Sequence, residues 1–170
     1  MNTTISFNHT QARQYANELF ISSTRDDVKY QAAKKVEALM ILIGTDTGFR
    51  ISDMLNLKFK DIDTDNEYGK PLITGYVHKK KRNETKPLSS NTLRLIEIYK
   101  NWALSEFGYT NDNIFYNYKT NKLYTRQWSH KRLNIANDEG KLGKKVDVAG
   151  AHSLRRTAGA HIYDKTRDVR

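Results

Sequence analysis

Apolar residues recur at helical spacing near the start of the chain, where Ala12, Tyr15, Ala16, Leu19 and Phe20 form one stripe. This period predicts a first helix, capped around Asn8-His9-Thr10 and running to about Phe20. Ser22 to Asp27 is polar and predicts a loop. A second stripe of Val28, Ala32, Val36, Leu39, Met40 and Ile43 predicts a helix over 27–43. Thr45 to Gly48 should break it, since Gly48 readily takes a positive φ. Residues 50–55 then predict a short helix, with Ile51, Met54 and Leu55 facing the core. Arg50 and Asp53, three positions apart, share another face.

The period changes after this point. Leu57, Phe59 and Ile62 alternate as in a short strand, 63–70 is a turn-rich connector, and 72–79 alternates again. After a tight basic turn, 85–88 returns as a third strand, which predicts a small antiparallel sheet. Helical spacing resumes at Ser89 and continues to about Phe107 through Leu93, Ile96, Tyr99, Trp102 and Ala103. A short extended segment at 114–116 and a helix capped by Thr125, bearing Trp128, Leu133 and Ile135, come next. A basic, glycine-bearing loop over 138–150 leads to a closing helix that begins near His152 or Ser153. The expected fold is mainly α with a small antiparallel three-stranded β-sheet.

Composition narrows the classes. At 170 residues the chain suits one domain with one core. Its longest apolar run, 38–43, is too short to cross a bilayer, and no signal peptide is visible, so an intracellular protein without a membrane partner is expected. With no cysteine, disulfides and thiolate zinc sites are excluded. Twenty-nine Lys+Arg against nineteen Asp+Glu give a net charge of +10. Such a charge favours a polyanionic partner, because phosphate contacts release condensed counterions.

Arginine suits a phosphodiester, because its planar fork donates two hydrogen bonds to one phosphate and stays charged at any working pH. Arg50 and Arg155 lie 105 positions apart and form such a clamp only if the fold joins them. The blocks around them are specific. Thr47-Gly48-Phe49-Arg50-Ile51-Ser52-Asp53, with its leucine-bearing tail, and His152-Ser153-Leu154-Arg155-Arg156-Thr157 together resemble the tyrosine recombinase (phage integrase) family. The resemblance spans nearly all of the chain and implies a catalytic-domain-like fold.

The resemblance assigns the phosphate clamp to Arg50 and Arg155, proton transfer and phosphate contact to His152, and an orienting role to Asp53. It implies a lysine general acid on the hairpin within 77–88. Register from Pro87-Leu88 favours Lys79, with Lys80 a close second because one residue of turn length flips the face. Lys80, Lys81, Arg82 and Arg156 are expected to grip double-stranded DNA. No metal or cofactor is implied, and the spacing of His78, His130 and His161 fits no metal pattern.

The family's nucleophilic tyrosine lies a few tens of residues beyond the second arginine. Tyr163, eight positions after Arg155, is expected to be structural, so no nucleophile is expected within this chain. The expectation is therefore a partial catalytic domain over 1–170, without the nucleophilic segment or a core-binding domain. Its parent would recombine DNA site-specifically, as a tetramer on DNA, through a 3′-phosphotyrosyl intermediate. The 170 residues alone would be a monomer that binds DNA without cleaving it. A non-enzymatic DNA-binding regulator, or a degenerate recombinase relic, is the alternative. A metal-independent phosphodiesterase using His152 is a further one.

Overall fold

The computed structural model describes residues 6–22, 27–143 and 153–166. Its first helix, α1 (His9–Ile21), starts where the Asn8 side chain accepts the Gln11 N–H. The second, α2 (Val28–Thr47), starts at Asp27, whose carboxylate accepts the Lys29 N–H. From Val36 to Thr45 every residue of α2 is buried. A helix apolar on all sides must be surrounded, and α1 and four later helices pack against this one.

The second helix runs past its expected stop at Ile43. Thr45 and Thr47 turn their hydroxyls back to the carbonyls of Ile41 and Ile43, satisfying themselves inside the helix. The break comes at Gly48, whose φ of +70° closes the helix in a left-handed cap. A four-residue helix, α3 (Ile51–Met54), follows at once.

The expected strand over Leu57–Ile62 is mostly a 3₁₀ turn at Phe59–Asp61. The Asp61 carboxylate accepts the Lys58 N–H and curls the backbone, leaving β1 only Ile62–Asp63. Strands β2 (Leu72–Val77) and β3 (Arg82–Pro87) complete an antiparallel sheet of order β1-β2-β3. Thr74 faces Thr85 and Val77 faces Arg82. The third strand thus begins three residues before the expected Thr85, because ladder pairing continues to the turn whatever the polarity of the side chains.

The helix α4 (Ser90–Phe107) is capped by Ser89 and ends at Gly108. A hairpin of two-residue strands, β4 (Tyr116–Asn117) and β5 (Lys122–Leu123), follows. Helix α5 (Arg126–Asp138) is capped by Thr125, as expected, and α6 is Ser153–Thr166. The one acid inside the apolar run of α2, Glu37, is met by Arg132 of α5 at 2.5 Å.

Close packing on α2 and contacts with the segment around the start of α1 fix α6. A Cβ on Gly44 would lie 2.8 Å from Leu154 Cδ1 and 3.1 Å from Leu154 Cβ, so glycine permits the close approach. At the other end, the Phe7 N–H donates to Thr157 Oγ1 at 2.8 Å, and the His9 and His161 rings stack 3.6 Å apart. Arg13 joins three helices by donating to Leu42 O, Thr45, Asp46, Ser89 and Thr92.

Candidate phosphate-binding site

The cap at Gly48 decides where Arg50 goes. Arg50 is the extended residue between α2 and α3, with φ −62° and ψ 145°, and its side chain enters a pocket beside the sheet. Arg155, on the first turn of α6, lines the same pocket. A Cβ on Gly48 would stand 3.9 Å from Arg155 Cγ, so the glycine that turns Arg50 inward also borders the second arginine. The fold thus joins two arginines far apart in sequence.

The sheet supplies the opposite wall. Gly75 of β2 lies against the Phe49 ring, where a Cβ would come 3.1 Å from Phe49 Cζ. This approach brings Val77, Lys80, Glu84 and Lys86 to the pocket. Arg50, Arg155, Lys80 and Lys86 are cations at its wall, against the two carboxylates of Asp53 and Glu84. The Arg50 Nη1 atom is buried and has no hydrogen-bond partner among the described residues. Buried polar atoms are almost always paired, so this donor fits an anionic acceptor from outside the chain.

Asp53 is buried and reaches the hairpin. Its Oδ1 accepts from His78 Nδ1 at 2.8 Å and from the His78 backbone N–H at 3.3 Å. It therefore anchors the start of the β2–β3 turn. That turn, 78–81, is held by the Lys80 N–H to Val77 O and the Lys81 N–H to His78 O, with Lys81 at φ +52°. Strand alternation stops at Val77, so the face of Val77 does not carry on to Lys79. Lys80 lines the pocket, whereas Lys79 is exposed in the turn and is not among the lining residues.

Glu84 accepts from Lys80 at 2.8 Å and from Arg82 at 3.3 Å, and Lys86 Nζ stands 3.8 Å from its other oxygen. The hydrogen bond from Lys80, with the neighbouring cations, holds this carboxyl down at about 2. Lys81 and Arg82 are exposed on the hairpin, and Arg156 is exposed on α6 outside the pocket lining. His152 lies outside the described residues. Tyr163 is exposed on α6, about 12 Å along the axis from Arg155 at 1.5 Å per residue.

Sequence reading missed Glu84 and Lys86 as pocket residues, and His78 as the partner of Asp53. Alternation from Arg82 to Lys86 carries a signal for the first two, since residues two apart share a strand face. His78 carries no such signal, because its partner lies 25 positions away.

Residues 14–170 match the phage integrase family. The chain is 31% identical over 133 residues to a probable integrase/recombinase protein of Methanocaldococcus jannaschii, covering 76% of this chain and 38% of that protein. It is 25% identical over 135 residues to a probable integrase/recombinase of Bacillus subtilis, covering 79% and 67%. Among solved structures, the XerH site-specific recombinase bound to its difH substrate superposes with a TM-score of 0.72 at 20% identity, over 98% of this chain and 45% of that one. A lambda integrase tetramer bound to a Holliday junction gives 0.59 at 15% identity, over 98% and 44%. The chain belongs to the phage integrase family, whose members are the tyrosine recombinases, and its mainly helical fold with a three-stranded sheet is that of their catalytic domain. It spans less than half the length of the archaeal relative and of both these structures. Among the described residues, no helix is long and apolar enough to cross a membrane.

Proposed function

We propose that this chain binds double-stranded DNA by seating a backbone phosphate between Arg50 and Arg155, as the phosphate-binding part of a site-specific recombinase. The observation that carries this reading is the buried Arg50 Nη1, without a hydrogen-bond partner among the described residues, in a pocket that Arg155 also lines. In strand cleavage, negative charge develops on the non-bridging oxygens, and fixed guanidinium donors stabilise it without reorganising. A hairpin lysine protonates the departing 5′-oxygen. Lys80 suits this role better than Lys79, because it reaches the pocket. His152 assists, and Arg156, Lys81 and Arg82 hold the flanking backbone.

In the complete reaction a tyrosine attacks the phosphate, forms the 3′-phosphotyrosyl bond and expels the 5′-oxygen; rejoining reverses the step. Tyr163 does not serve, being two helical turns from Arg155 with its ring exposed. The 170 residues are therefore a monomer that binds duplex DNA and forms no covalent link.

Binding of a labelled duplex tests this reading. Arg50→Gln and Arg155→Gln should each weaken binding about tenfold, as expected for loss of a charge-assisted hydrogen bond. Unchanged affinity in both variants would overturn the clamp. A covalent adduct on a nicked suicide substrate, lost in Tyr163→Phe, would overturn the assignment of Tyr163.

A further inference from the structure

Glu84 presents an apparent contradiction. A carboxylate in a phosphate pocket repels the ligand. Yet β3 points Glu84 to the pocket side of the sheet, opposite Gly75. Three cations surround it: Lys80 at 2.8 Å, Arg82 at 3.3 Å and Lys86 at 3.8 Å. Two of them, Lys80 and Lys86, line the pocket. On the other wall, Arg50 Nη1 is buried without a hydrogen-bond partner among the described residues, while the hairpin wall carries its own anion beside Lys80.

We propose that Glu84 is the internal counter-anion of this pocket, which an incoming phosphodiester displaces from Lys80. This inference rests on the reading of the pocket as a DNA phosphate site. With no phosphate present, Lys80 donates to Glu84. When a phosphate is seated on Arg50 and Arg155, the lysine's flexible four-carbon stem swings its ammonium across to the phosphate oxygens. Lys86 and Arg82 remain with Glu84 and neutralise it. Glu84 thereby selects Lys80 among three consecutive hairpin lysines, holding it at the pocket before DNA arrives. It also lowers the affinity for anions that do not engage both arginines. It is a positioning residue and touches no reacting atom.

A double-mutant cycle on duplex binding tests the exchange, with circular dichroism confirming that each variant is folded. Glu84→Gln should tighten binding about tenfold at 0.1 M salt, because Lys80 no longer has to leave a partner. In a Lys80→Met background the same substitution should change affinity less than about twofold, as expected for a screened rim charge. Glu67→Gln, which removes an exposed acid on the 63–70 connector, serves as the general charge control. An equal gain with and without Lys80 would overturn the exchange and leave only a general charge effect. Unchanged or weaker binding in Glu84→Gln would overturn it too. The Arg50→Gln and Arg155→Gln measurements report separately on the clamp, so failure of the pocket reading is distinguishable from failure of the Glu84 exchange.

Discussion

Asp53 holds His78 twice through one oxygen, taking the ring Nδ1–H at 2.8 Å and the backbone N–H at 3.3 Å. One carboxylate on a four-residue helix thereby secures the hairpin that carries Lys79, Lys80 and Lys81. The His78 side chain is 64% exposed while that of Asp53 is 3% exposed, so the acid is the fixed partner.

Removing the acid should loosen the hairpin more than removing the ring. Asp53→Ala is expected to lower stability by about 1–2 kcal/mol, since a charge-assisted bond is lost near the core. His78→Ala keeps the backbone bond and should cost under about 1 kcal/mol, as for an exposed pair. Thermal unfolding measures both, and faster amide exchange at 78–81 in Asp53→Ala alone locates the effect.

The approach of α6 to α2 makes a second prediction. Gly44→Ala should cost about 1–3 kcal/mol by overpacking against Leu154, given the 2.8 Å separation from Leu154 Cδ1. Because Arg155 follows Leu154, DNA binding should weaken as well. Adding Leu154→Ala should recover part of the affinity, and urea titration with duplex binding on the four proteins tests this coupling.

His9 predicts an acid-sensitive stability. Burial, reinforced by the neighbouring His161, Arg13 and Lys165 and opposed by Asp46, lowers its pKa from 6.5 to about 4. Above 6.5 the ring is neutral both folded and unfolded. As the pH falls from 6.5 through 4 the unfolded chain takes up the proton first, and stability is lost. The residue is half-buried, so solvent screening reduces the effect to about 1 kcal/mol. Urea midpoints should fall between pH 7 and pH 4.5, and His9→Asn should flatten that slope.

The pair between α2 and α5 predicts the opposite dependence. Burial raises the Glu37 pKa even with Arg132 in place. In Arg132→Met the acid loses its hydrogen-bonded partner and should cost about 3–5 kcal/mol at neutral pH, the range for a broken buried pair. A raised folded-state pKa makes that cost grow as the pH rises above 4.5. Glu37→Gln combined with Arg132→Met should recover most of the loss. Stability curves at pH 5 and pH 8 separate these cases.

Much of this fold was legible because it depends on local spacing. The stripes of α1, α2 and α4, the caps at Asn8, Ser89 and Thr125, and the positive φ at Gly48 all follow from neighbours in sequence. Arg50 and Arg155 were legible as a pair through the motifs that surround them. Other features depended on competition between local bonds. Thr45 and Thr47 read as breakers, yet satisfied their hydroxyls inside the helix. Asp61 curled an expected strand by capping Lys58. The hairpin lysine was ambiguous for a different reason: turn geometry, not strand parity, decides where Lys79 and Lys80 point.

The burial of α2 on all sides has a mechanical consequence. Arg50 follows its C-terminal cap and Arg155 rides on the helix pressed against it, so one wall of the pocket inherits the stiffness of the core. The other wall is a hairpin whose turn is held through Asp53 of a four-residue helix. Such an arrangement has one rigid jaw and one compliant jaw. Local opening can release the lysines in the turn without disturbing the spacing of the arginines. In the proposed exchange the charge that moves, Lys80, stands on the hairpin wall and not on the wall built on the core.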